Sequence, residues 1–166
     1  MLNLNDKFFD FLEACKGVPQ REIHHPEGDV FVHSLQVLYC GFRENTDVDL
    51  LLAAMLHDIG KIENSLGHED IGANWLTNFC SPKTLWLIRQ HLRIRYLVDG
   101  KMKKYSKVLE LVDHPYLKEL ILLSRWDRMG RNPNKKIKYN RQEIIDKFER
   151  CAEKHFDDCV VFKKFS

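Results

Sequence analysis

A histidine–aspartate pair, His57-Asp58, is the feature of this sequence best suited to chemistry. It follows residues 50–56, seven consecutive apolar residues that favour a helix and are too few to cross a membrane, so we expect a buried helix. An unpaired buried carboxylate is costly, and a metal ion bound by imidazole and carboxylate groups is one way to stabilise it. Gly60 is expected to cap this helix in the left-handed conformation, and Lys61 lies where a cation suits the helix C-terminus.

Further candidate ligands lie on neighbouring predicted helices. His33 comes three residues after Val30 and four before Val37, on the apolar face of a helix, so its side chain should point into the core. Asp127 stands late in another apolar helix. Two imidazoles and two carboxylates form a normal ligand set for a divalent first-row metal.

Two more histidines extend this set. His68 and His91 each lie near the end of a predicted helix, although His68 could simply begin its helix without binding anything. If the Asp58 carboxylate bridges, the whole set could hold two metal ions. The candidate metal ligands are His33, His57, Asp58, His68, His91 and Asp127.

Helices must position these residues, because the sequence shows helical periodicity and no strand-type alternation of any length. Asp29 and the Ser81-Pro82 pair provide N-terminal capping signals. We predict an all-α bundle of about seven to eight helices. Besides the apolar helix before His57, the predicted helices span about residues 6–16, 30–43, 68–79, 83–93, 106–112, 116–129 and 141–158.

Length and composition are those of one globular domain. The chain has 166 residues, no apolar run long enough for a transmembrane helix, and no secretory signal pattern at its N-terminus. Its five cysteines are odd in number, widely spaced and without a CxxC motif. This pattern favours reduced thiols in a cytoplasmic protein over a disulfide framework or a zinc–thiolate site.

Positive charge is concentrated in two stretches, although the formal net charge is only +2. Residues 83–107 contain eight Lys or Arg and one acid, and residues 125–141 contain seven and one. Such stretches suggest an anionic ligand, while a solvated surface with long cationic side chains is the other explanation.

The candidate ligands resemble, in order and context, those of the HD-domain superfamily of metal-dependent phosphohydrolases. The resemblance covers roughly residues 24–130. Residues 25–33 (HPEGDVFVH) and 56–61 (LHDIGK) are most similar to the HD domain of bacterial tRNA nucleotidyltransferases. The nucleotidyltransferase head has no counterpart in these residues, so we do not expect CCA addition.

This resemblance implies a domain organisation. We expect a single HD domain over residues 1–166, with an HD core at about residues 24–130 and a C-terminal helix at about residues 141–158.

The resemblance also implies hydrolysis of a phosphomonoester or phosphodiester by metal-activated water, with Asp58 and Lys61 as catalytic residues. Lys61 stands where HD-domain 5′-nucleotidases carry a glutamate, which argues against that particular activity. A lysine at this position suits phosphate binding. The residues expected to bind substrate are His25, Lys61, Arg125 and Arg128.

The expected cofactor is one or two divalent metal ions, and Mn, Mg, Ni, Co, Zn and Fe all suit the ligand types. The expected partner is an anionic phosphate-containing small molecule such as a nucleotide, or an RNA or DNA end, and no membrane. Two other functions stay open. One is an HD-fold di-iron oxygenase with the same ligand order, and the other is a non-catalytic module that binds nucleic acid through the basic stretches and their aromatic residues.

Overall fold

The computed structural model describes the backbone of residues 4–165 and the side chains of residues 4–156. Within those residues the protein consists of eight α-helices and one short 3-10 helix without any strand, so the all-α prediction is confirmed. The α-helices are α1 (Asp6–Ala14), α2 (Val30–Glu44), α3 (Val48–Leu56), α4 (His68–Trp75), α5 (Pro82–Val98), α6 (Tyr105–Val112), α7 (Leu117–Met129) and α8 (Arg141–Phe165).

The helix α3 lies at the centre of the bundle. Its residues from Leu50 to Leu56 are all buried, as the unbroken apolar run requires. The helices α2, α5 and α7 pack around it, and α7 contributes Trp126 to the core they share. Because α3 is enclosed by other helices, His57 and Asp58 at its C-terminal end are buried as well.

Predicted helix starts agree with the structure better than predicted ends. The Asp29 carboxylate accepts a hydrogen bond from the Val32 N–H at 2.9 Å, and the Ser81 side chain accepts one from the Thr84 N–H. The helix α5, however, continues past residue 93 to Val98 and ends at a turn that contains Gly100 with φ +68°. The helix α4 is shorter than predicted because the chain after Trp75 folds into tight turns.

The described cysteines are free thiols. Burial raises the pKa of Cys15 and of Cys80 to about 12, which keeps both in the unreactive protonated form. Cys159 lies outside the described side chains. In the described part of the chain, no helix is both long and apolar enough to cross a membrane.

Gly60 does not adopt the left-handed conformation that the sequence suggested. Among the described residues positive φ angles occur elsewhere, and Gly60 instead belongs to the 3-10 helix Ile59–Ile62 that follows α3. A Cβ atom at this position would lie 2.0 Å from the carbonyl oxygen of His68 and 2.8 Å from the backbone nitrogen of Gly72. Glycine is therefore needed here for the close approach of two backbones, which fixes the start of α4 beside the end of α3.

We expect the substitution Gly60→Ala to lower the free energy of unfolding by about 2–4 kcal/mol, because the obstructing atoms are backbone and cannot move aside. Gly100→Ala is the matched control, since its φ is +68° but no atom lies within 4 Å of the added Cβ. That control should cost only about 1 kcal/mol. Denaturant unfolding measures both, and equal losses would refute the close-approach explanation.

Candidate metal centre

Six side chains meet at the C-terminal end of α3, where two of them directly follow that helix and the other four come from four other helices. All are buried, with relative exposures between 0% and 4%. The helices α2, α5 and α7 each contribute one of them, and α4 contributes its first residue. In chain order these residues are His33, His57, Asp58, His68, His91 and Asp127.

The four histidines of this cluster are anchored in the same way. Each Nδ1 lies 2.6–3.0 Å from a backbone carbonyl oxygen. A carbonyl oxygen only accepts hydrogen bonds, so each Nδ1 carries a proton and donates it, and in the neutral ring Nε2 keeps a lone pair. The accepting carbonyl groups are those of Gly130 for His33, Ala54 for His57, Ser65 for His68 and Ile88 for His91.

The Asp58 carboxylate lies between two pairs of imidazoles. Its Oδ2 atom is 3.5 Å from Nε2 of His57 and 3.8 Å from Nε2 of His33. Its Oδ1 atom is 3.0 Å from Nε2 of His68 and 3.6 Å from Nε2 of His91. Each carboxylate oxygen therefore faces one pair, which is the arrangement that a bridging ligand requires.

The Nε2 atom of His57 tests whether this site suits a metal ion. It is buried and has no hydrogen-bond partner among the described residues, and Asp127 Oδ1 lies 3.8 Å away. Burial lowers the pKa of His57 to about 4, so this nitrogen presents a lone pair to two carboxylates. A lone pair and carboxylates repel one another unless a cation lies between them, so this donor set fits a divalent metal ion.

His33 and His68 are in a different protonation state from His57. Burial alone would lower the pKa of His33, but its hydrogen bonds to Asp127 and Glu27 raise it to about 9. Burial would likewise lower the pKa of His68, but the hydrogen bond to Asp58 raises it. In the metal-free protein these imidazole protons form hydrogen bonds with the Asp127 and Asp58 carboxylates, and a bound metal ion would replace them.

A second group of donors surrounds Asp58 Oδ1. The Nε2 atoms of His68 and His91 are 3.2 Å apart, and because both rings are anchored through Nδ1 the two nitrogens need a shared proton or a cation. Donor atoms lie within 4.8 Å of one another in the group His33, His57 and Asp58 and again in the group Asp58, His68 and His91. The geometry thus offers two candidate metal positions that share Asp58.

Glu27 is a participant that the sequence analysis missed. Its carboxylate is fully buried and its Oε1 atom accepts from Nδ1 of His33 at 2.8 Å and from Nδ1 of His25 at 3.0 Å. Burial would raise the pKa of Glu27, but these hydrogen bonds lower it, so the carboxylate stays charged. Glu27 lies in a loop, where no residue spacing could have indicated the contact. Because Glu27 contacts Nδ1 of His33, it orients the ring so that Nε2 faces the cluster.

Lys61 and His25 lie beside the cluster. The ammonium group of Lys61 donates to Asp58 Oδ2 at 2.7 Å and to Gln20 Oε1 at 2.8 Å. Lys61 and His25 both line a cavity of about 410 Å³, which adjoins the cluster through the contact between Lys61 and Asp58. Burial is the main cause that lowers the pKa of His25, so its ring is neutral near pH 7.

Arg125 and Arg128, which the sequence analysis expects to bind substrate, do not line this cavity. Arg125 is half exposed and forms an ion pair with Glu44 at the end of α2, and Arg128 donates to Asp99 at 3.3 Å. Their side chains leave α7 on the solvent side because α7 turns Asp127 inward.

Arg95 and Arg131 line the cavity instead. The Arg95 guanidinium is 4.0 Å from Asp127 Oδ2, and that of Arg131 is 3.7 Å from Asp127 Oδ1. Each arginine comes four residues after a candidate ligand, His91 or Asp127, so a search at helical spacing would have found them.

A family model for the HD domain matches residues 30–132, which is more than half of the chain. The chain therefore belongs to the HD-domain family. The match includes every residue of the six-residue cluster and also Arg95 and Arg131, two of the three arginines that line the cavity.

Among known proteins the chain is similar to proteins called multifunctional CCA protein. That of Methylococcus capsulatus is 37% identical over 175 residues, covering 88% of this chain and 39% of the relative. That of Cupriavidus pinatubonensis is 36% identical over 118 residues, covering 61% of this chain and 28% of the relative. The chain thus spans between 28% and 39% of the length of these two relatives.

We expect the protein to bind two divalent ions per chain, and the variants His91→Ala and Asp58→Ala to bind fewer. His91→Ala should leave one ion, whereas Asp58→Ala should weaken both positions because each oxygen faces a different pair of imidazoles. Elemental analysis after loading with Mn²⁺ and desalting measures the stoichiometry. His155→Ala, on the exposed part of α8, is the control. Two ions retained by Asp58→Ala would contradict a shared ligand.

We expect Glu27→Gln to weaken metal binding by about tenfold or more, because an amide cannot replace the carboxylate that both His33 and His25 contact. Competition with a fluorescent chelator measures the affinity. Glu22→Gln, an exposed change in the same loop, should leave it unaltered. If both variants bind metal like the wild type, Glu27 does not orient His33.

Proposed function

We propose that this protein is a metal-dependent phosphohydrolase that cleaves a phosphomonoester or phosphodiester of a nucleotide or an oligonucleotide end. The observation that carries the proposal is the buried His57 Nε2 atom, which faces two carboxylates without a hydrogen-bond partner among the described residues. Beside it lies a cavity lined by Lys61, Arg95 and Arg131. Membership of the HD-domain family supports metal-dependent hydrolysis.

The proposed metal ligands are the six residues of the cluster, with Asp58 as the shared one. When bound, a divalent ion supplies Lewis acidity, which lowers the pKa of water and polarises a phosphoryl oxygen. Lys61, held 2.7 Å from Asp58 Oδ2, supplies a fixed positive charge at the wall of the cavity, where phosphoryl oxygens gain negative charge during the reaction.

His25 is proposed to contact the substrate. Its Nδ1 atom lies 3.0 Å from Glu27 Oε1 and donates its proton there, so Nε2 of the neutral ring acts as a hydrogen-bond acceptor. His25 lines the same cavity as Lys61, so this acceptor suits a substrate hydroxyl or a water molecule. The Glu27 contact fixes the ring and leaves the substrate little freedom to misalign.

The proposed substrate is a nucleotide or an RNA end rather than a neutral sugar. Positive side chains along one cavity favour an anionic ligand, and similarity to multifunctional CCA proteins supports a nucleotide or RNA. We further propose a cytoplasmic protein with one HD domain over residues 1–166, whose core is at about residues 24–130 and whose C-terminal helix is α8.

The alternatives are distinguished by specific observations. A module that binds nucleic acid by aromatic stacking has few aromatic residues to use, since Trp126 is fully buried and Trp86 stacks on His114 at 3.6 Å. Tyr96 and Tyr105 are exposed and would have to supply that stacking. A di-iron oxygenase would use the same ligands but would require dioxygen for turnover.

We expect hydrolysis of phosphomonoesters, measured as released phosphate, or of 2′,3′-cyclic nucleotides or short oligonucleotides, measured as product nucleotides by chromatography. The assays contain Mn²⁺, Ni²⁺, Co²⁺ or Mg²⁺ and are run with and without dioxygen. Asp58→Ala should lower kcat by more than about 100-fold. The loss of a ligand shared by both proposed metal positions costs more than the loss of a residue that only orients a ligand. Arg125→Met, which removes a surface ion pair, should retain turnover. Turnover that needs dioxygen would favour the oxygenase. No turnover on the whole panel by the folded, metal-loaded protein would reject the hydrolase.

A further inference from the structure

Two residues that line the cavity each carry a buried hydrogen-bond donor without an acceptor among the described residues. The Nη2 atom of Arg131 and the Nε2 atom of Gln20 are both buried, and neither has a hydrogen-bond partner among the described residues. Both residues line the cavity over the metal cluster, together with Lys61 and Arg95. Buried donors without acceptors are costly, and a charged donor is more costly than a neutral one. The wall of the cavity therefore suits a ligand that accepts hydrogen bonds.

Each donor is held in place by a contact at its other end. The Nε atom of Arg131 donates to the backbone carbonyl of Asp127 at 3.3 Å. The Oε1 atom of Gln20 accepts from the Lys61 ammonium at 2.8 Å. An ammonium group only donates, so the Gln20 oxygen must face Lys61 and its amide N–H groups must face elsewhere. The two donors are thus positioned before any ligand binds.

A metal ion cannot satisfy these donors. Guanidinium and amide N–H groups carry positive charge or partial positive charge and have no lone pair to offer a cation. Nor does Asp127 satisfy Arg131, because its Oδ1 atom is 3.7 Å from Nη2, beyond hydrogen-bond length. Water can accept a hydrogen bond from either donor, but an anion with several oxygen atoms also balances the charge of Arg131. Arg131 is only 18% exposed, so water screens its charge poorly and an anion gains more from the contact.

We propose that Arg131 and Gln20, with Arg95 beside them, form a subsite that binds the non-bridging oxygens of a phosphate group on the substrate. Phosphate offers several oxygens to separate donors and matches the planar fork of a guanidinium. The Arg95 guanidinium, 4.0 Å from Asp127 Oδ2, adds a second positive charge to the same carboxylate edge. This assignment rests on the proposed phosphohydrolase function, because it takes the phosphate to be part of the hydrolysed substrate.

The test is the affinity of the metal-loaded, full-length protein for inorganic phosphate, measured by isothermal titration calorimetry. Arg131→Met removes the charge and the buried donors while keeping an unbranched side chain of similar length. We expect its Kd for phosphate to rise by about tenfold or more, with unchanged metal content. Arg128→Met is the matched control, since Arg128 contacts Asp99 at the surface, and its Kd should stay within about twofold of the wild type.

A second variant covers the case in which Arg131→Met fails to fold. Gln20→Glu is isosteric, keeps an oxygen for Lys61 and replaces the donating amide with a negative charge. It should weaken phosphate binding by about tenfold or more without loss of metal. Wild-type affinity in both folded variants would overturn the subsite, and so would an equal loss in the Arg128→Met control.

Turnover separates this proposal from the proposed function. If Asp58→Ala abolishes hydrolysis but Arg131→Met changes neither KM nor the Kd for phosphate, the enzyme stands and the subsite is rejected. If phosphate binding depends on Arg131 and Gln20 but no phosphate ester is hydrolysed, an anion subsite stands and hydrolysis is rejected. A raised KM with little change in kcat would indicate that Arg131 contributes to ground-state binding.

Discussion

Everything at this site follows from the way in which four histidines are anchored. Each donates its Nδ1 proton to a backbone carbonyl oxygen and turns Nε2 toward the Asp58 carboxylate. The Nε2 atoms of His33 and His57 also lie near Asp127. Side chains supply positive charge to these carboxylates, including the Lys61 ammonium 2.7 Å from Asp58 Oδ2. Protons on His33 and His68 supply part of it, but burial lowers the pKa of His57 to about 4 and leaves its lone pair unmatched. The backbone anchors thus leave the lone pair of His57 Nε2 facing the carboxylates, where it suits a metal ion.

Close backbone contacts hold parts of this cluster in place. The carbonyl that anchors His33 belongs to Gly130, where a Cβ atom would lie 2.6 Å from Val37 Cγ2. The start of α4, which carries His68, is pressed against Gly60. These contacts fix the carbonyl that anchors His33 and the start of α4, and the buried α3 packs against α2, α5 and α7. Rigidity of this kind is what positions metal ligands within a narrow tolerance.

The sequence predicted those features that depend on periodicity. The apolar run before His57 indicated the buried central helix, and the spacing of His33 from its apolar neighbours placed it in the core, where the structure has it. Helix positions also contained the signal for Arg95, four residues after a candidate ligand, although it was overlooked. Gln20 and Glu27 lie in a loop, whose path depends on tertiary contacts that no local pattern encodes. The prediction that Gly60 caps α3 in the left-handed conformation was wrong. The constraint on Gly60 comes from the backbone of α4, which no local pattern around Gly60 indicates.

The proposed metal ions and the proposed phosphate subsite act on one carboxylate, so their binding should be coupled. In the metal-free protein Asp127 attracts the guanidinium groups of Arg95 and Arg131, which stand 4.0 Å and 3.7 Å from it. A divalent ion that shares this carboxylate neutralises it and removes that attraction. The two arginines then present an uncompensated charge to the cavity, and an anion binds more tightly. By linkage, a bound anion must strengthen metal binding by the same factor. Binding of the proposed metal ion and of the anion is therefore coupled through Asp127, so each ligand should strengthen the binding of the other.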